Sequence, residues 1–117
     1  MTGLTTTPEL INNKSKLAQK VVCGLQDALD FTRNDTKTAL SILSNRFPEI
    51  KIEVAKEALE RVLHENIVPK TTKIDAEAWS KAIRLRKEVG DIKDVQEMPV
   101  YVDNSFANKT TQCKEFR

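Results

Sequence analysis

The stretch EIKIEVAKEALERVLHENI, residues 49–67, decides the fold. Ile50, Val54, Ala58, Leu59, Val62 and Leu63 recur at intervals of three and four, which puts them on one side of an α-helix. Lys51, Lys56, Glu57, Glu60 and Arg61 take the other side, so the helix needs a neighbour to cover its apolar stripe. Glu53, Glu57 and Glu60 resemble a row of metal ligands. The interleaved Lys56 and Arg61 make it instead a solvated face of i,i+3 and i,i+4 ion pairs, each worth roughly a few tenths of a kcal/mol.

Upstream, Pro48 stops a preceding helix whose N-cap is Asp35 and whose inner face would be Ala39, Ile42, Leu43 and Phe47. Before that, Leu17, Val21, Leu25, Ala28, Leu29 and Thr32 form a further helical stripe. Thr7 can cap a helix that begins at Pro8, and INNKS (residues 11–15) either kinks the chain or separates two helices. The β-branched TGLTTT (residues 2–7) reads as a strand-like stub.

Downstream, VPKTTK (residues 68–73) is a linker. Asp75 caps a helix carrying Trp79, Ala82, Ile83, Arg86 and Val89, and Gly90 supplies the left-handed position that ends it. After Gly90 the helical period is lost, so an extended segment is expected, then a frayed tail over residues 109–117. The reading is a mainly α chain: four to five amphipathic helices in one small domain, residues 1–108, with a strand-like N-terminal stub and an extended C-terminal segment.

Bulk properties exclude several functions. The length of 117 residues suits one core. A net charge of +2, from 19 basic and 17 acidic side chains, gives no field that would capture nucleic acid. No apolar run approaches the ~20 residues that span a bilayer, so no membrane insertion is expected. Met1-Thr2-Gly3-Leu4 lacks the basic and apolar regions of an export signal, and a cytoplasmic location follows for the chain as written. Cys23 and Cys113 fit neither a disulfide framework nor a metal motif, and read as unpaired thiols. The lone histidine, His64, falls where a helix ends and reads as a partner for the last carbonyls. With three glycines and no zinc- or calcium-ligand spacing, no cofactor, metal or catalytic residue is expected, and the chain reads as no enzyme.

In order, TPELI, VVCGLQDALDFTRNDTKTALSILSNRFPEI, VAKEALERVLHENIVP, IDAEAWSKAIRLRKEVGDIK and YVDNSFA run from about Thr5 to Asn108. This order resembles the C-terminal portion of bacterial ABC-transporter substrate-binding proteins of the nitrate, sulfonate and taurine type, a group that includes thiamine-precursor binders. The resemblance implies part of one lobe of a type II periplasmic-binding-protein fold. It also implies a periplasmic location if the chain is a piece of a longer exported protein. Full members close two α/β lobes around a solute at the carboxyl ends of sheet strands. Those strands have no counterpart in this sequence, so no small-molecule ligand is expected to bind this chain alone.

Helices shaped to cover a sheet would expose apolar stripes, and a homo-oligomer is expected. The alternative is a stand-alone helical protein–protein interaction module, for example the product of a captured or mobile gene. The residues expected to carry packing or interaction are Trp79, read as a core anchor, Tyr101 and Phe106, which would dock the closing segment, and Asp103 and Asn104, which would form a turn.

Overall fold

The computed structural model describes residues 3–95 and 97–116. Among them all regular structure is helical: α1 (Pro8–Asn13), α2 (Ser15–Asn34), α3 (Thr36–Arg46), α4 (Ile52–His64), α5 (Ala76–Glu88), α6 (Met98–Tyr101) and a 3-10 helix (Ala107–Phe116). The mainly α class holds. The strand-like stub does not: residues 3–7 carry no strand, and Thr2 lies outside the described residues. A stub needs a second strand to pair with, and none exists among the described residues.

The helix boundaries follow local chemistry. The Thr7 hydroxyl accepts from the Leu10 N–H at 3.2 Å with Pro8 opening α1. Lys14 leaves helical geometry, so INNKS separates two helices rather than kinking one. Asp35 accepts from the Thr38 N–H at 3.1 Å, and Asp75 accepts from Glu77 and Ala78 at 2.9 and 3.1 Å. Two helices end in the same way. Asn66 (φ 53°) follows α4 and Gly90 (φ 80°) follows α5, and the next N–H in each case returns to the carbonyl five residues back, Ile67 to Val62 at 3.0 Å and Asp91 to Arg86 at 2.9 Å. At Gly90 no side chain has to bear the left-handed backbone.

The chain divides into two compact units, Met1–Val22 with Lys73–Arg117, and Cys23–Thr72. The α2 helix contributes residues to both. In the second unit α3 turns back onto α4 through residues 47–51, where the Ile50 N–H donates to the Phe47 carbonyl at 3.0 Å. In the first, α5 packs on α6.

Two expectations about inward faces are corrected. On α2, Leu17, Val21 and Leu25 are 49%, 41% and 45% exposed, whereas Gln19 and Cys23 are each 3% exposed. At about 100° per residue these two lie on the far side of the helix from the apolar stripe. On α4, Ala55 and Leu59 are buried against α3, and Val54 and Ala58 are exposed. The apolar arc of α4 is wider than one neighbour covers.

The cysteines and the tail are corrected together. Cys23 and Cys113 are both half-cystines, not thiols. Half-cystines distant in sequence leave no local spacing signature, which is why the pattern missed them. Residues 107–116, expected to be extended and then frayed, form the 3-10 helix, with Cys113 buried within it; Arg117 lies outside the described residues. A buried half-cystine removes the freedom that would let that tail fray.

Candidate functional site

Of the five residues expected to carry interaction, Trp79 and Tyr101 meet at α5, Asn104 grips Ile74 just before it, Asp103 closes a local turn, and Phe106 meets α2. Tyr101 ends α6 and stacks on Trp79, with ring centroids 6.3 Å apart and planes inclined by 18°. Such offset stacking adds about 0.5–1.5 kcal/mol beyond burial. Trp79 is half-buried and Tyr101 remains largely exposed.

Asn104 does not close a turn through its side chain. Its carboxamide donates to the Ile74 carbonyl at 2.8 Å and accepts the Ile74 N–H at 2.9 Å, a two-point grip on the residue just before the α5 N-cap. Asp103 makes the local turn, accepting from the Ser105 N–H at 2.8 Å. Phe106 is half-buried, and its carbonyl accepts from the buried Gln19 side chain of α2 at 2.9 Å. The closing segment thus touches α5 through Tyr101, the residue just before its N-cap through Asn104, and α2 through Phe106.

The bonds to Ser105 lower the pKa of Asp103, and the bonds to Thr38 lower that of Asp35. A lowered native value means that each carboxylate stabilises the fold above the ordinary carboxylate range, and that this contribution is lost as pH falls through the lowered value. Chemical denaturation is therefore expected to show Asp35→Ala less stable than wild type near neutrality, with the gap closing in acid. A gap independent of pH would refute the charged cap.

Two features were invisible to pattern reading. The first is the binding of the linker's main chain by side chains. Gln26 donates to the Lys70 carbonyl at 3.0 Å and accepts the Thr72 N–H at 3.0 Å, while Arg33 donates to the Val68 carbonyl. In retrospect Gln19, Cys23 and Gln26 recur at four and three residues, a helical stripe of its own on α2.

The second is a pair of grooves beside the α3–α4 seam. One, about 260 Å³, is lined by Thr36, Lys37, Leu40, Lys56, Leu59 and Glu60. The other, about 240 Å³, is lined by Leu43, Phe47, Ile50, Val54, Ala55 and Ala58, all apolar.

No group of three or more His, Cys, Asp or Glu side chains able to hold a metal occurs among the described residues. His64 sits exposed in the last turn of α4. No helix of the described residues is long and apolar enough to cross a membrane. What the geometry offers is apolar surface on helices, framed by exposed i,i+4 ion pairs such as Lys56–Glu60 at 3.8 Å and Glu77–Lys81 at 2.7 Å. Comparison with protein-family models, with curated proteins and with solved structures finds no match.

Proposed function

We propose that the chain is a non-enzymatic helical module that works by association with copies of itself. The observation that carries this reading is apolar surface left uncovered on regular helices: Leu17, Val21 and Leu25 along α2, and Ile42, Phe47, Ile50 and Val54 around α3 and α4. Single exposed apolar residues are ordinary. Contiguous ones at helical spacing mark surfaces that another chain covers.

Its origin is read as the C-terminal helical region of a substrate-binding protein of the nitrate, sulfonate and taurine type, without an intact ligand cleft. The order of TPELI, the α4 segment, the Trp79 helix and YVDNSFA supports that origin, and the helical course of the described residues is compatible with it. The half-cystines support the oxidising of the two compartments considered, because disulfides persist outside the reducing cytosol.

A second reading, a helical module for a different protein partner, is favoured by the groove lined only by apolar side chains. Sedimentation equilibrium across the micromolar range separates the two. A mass above the 13.2 kDa of one chain is expected. A mass that stays monomeric throughout would overturn self-association.

A further inference from the structure

The groove lined by Leu43, Phe47, Ile50, Val54, Ala55 and Ala58 has no polar lining group to orient a small ligand, and at about 240 Å³ it is smaller than most ligand pockets. Its dimensions suit side chains from another helix. The ends of α4, which forms one wall, carry an independent anomaly. Lys51 occupies the N-cap and makes no side-chain capping bond, and Glu65 occupies the C-cap, where the exposed Arg61 of its own helix pairs with it at 3.0 Å. A helix is positive at its N-terminus and negative at its C-terminus, so both charges have the sign that α4 itself disfavours. Lys51, Ala58 and Glu65 are also spaced by seven residues, close to two turns, so they share one stripe with the groove wall. Ala58 is exposed at its centre.

Building on the self-association reading above, we infer that this groove is covered by the same face of a second copy, α4 packing antiparallel on its counterpart about a two-fold axis at Ala58. In that register Lys51 of each copy lies beside Glu65 and the last carbonyls of the other α4. Both misplaced charges become favourable at once, whereas a parallel partner would set like against like. The methyl group of Ala58 lets the two helices approach closely, and Val54 gains the cover it lacks in one chain. The contact is isologous and closes on itself, which limits the assembly to a dimer at this face.

Ala58→Glu tests the face without threatening the fold, since Ala58 is exposed and glutamate is a good helix former. By sedimentation equilibrium it is expected to abolish dimers while the helical signal stays. Lys51→Glu and Glu65→Lys should each weaken association about tenfold or more through facing like charges, and the double variant should restore it. A short bismaleimide should join Ala58→Cys chains in pairs but not chains carrying Glu53→Cys on the opposite side of α4. Association that survives Ala58→Glu, or a double variant as weak as the single ones, would overturn this register and leave self-association standing. A wild-type chain that is monomeric at every concentration would overturn both.

Discussion

Reduction of the protein with excess dithiothreitol is expected to lower its unfolding free energy by about 2–5 kcal/mol, the range for loss of a native disulfide from a small domain. The effect should sit near the upper end, because the core is thin. Among the described residues the buried apolar set is Cys23, Ala55, Leu59 and Cys113, so half of it consists of half-cystines. Breaking the linkage returns conformational entropy to the unfolded chain and also loosens the 3-10 helix that carries Cys113. Denaturant titration with and without reductant measures the change. Mass analysis after alkylation checks its premise: no adduct in unfolded but unreduced protein, and two after reduction. Alkylation of the unreduced protein would refute the half-cystine assignment.

Leu59→Ala is the second large effect, a loss of about 2–4 kcal/mol. Leu59 is 9% exposed and sits where α4 meets α3, so truncating it removes apolar contact at the one seam that joins these two helices. Alanine is the best helix former, so the loss cannot come from α4 propensity and must come from the contact. Ile52→Ala is the control. That side chain in the first turn of α4 is 53% exposed and lies outside the surface proposed for association, and its removal is expected to change stability by no more than about 0.5 kcal/mol. Both are read from denaturation midpoints at unchanged slope. Equal losses would mean that the α3–α4 seam does not hold this unit together.

What the sequence makes legible is what a few neighbouring residues decide. Thr7, Asp35 and Asp75 cap helices, and Gly90 ends one, because each outcome depends on hydrogen bonds closed within about six residues. The direction in which a finished helix faces is not local. On α2 the apolar residues announce one inward side and Gln19 with Cys23 occupy the other. Nothing within the helix ranks a buried half-cystine above a leucine stripe. The same limit applies at Asn104, whose local turn chemistry competes with a grip on Ile74 thirty residues away in sequence. On α4 the stripe was visible, but its width was not apportioned: one part meets α3 and the other forms the groove.

The linker between α4 and α5 is held almost entirely by its own main chain, through Arg33 at Val68, Gln26 at Lys70 and Thr72, and Asn104 at Ile74. The information that shapes this segment is therefore written elsewhere in the chain. Substitutions at Lys70, Thr71 and Lys73 should be close to silent, whatever their size or charge. Proline at 72 or 74 should not be, because it deletes the N–H that a carboxamide holds. Where an alignment would show drift, the shape would persist, and the positions to watch for constraint are the distant amides, Gln26 and Asn104.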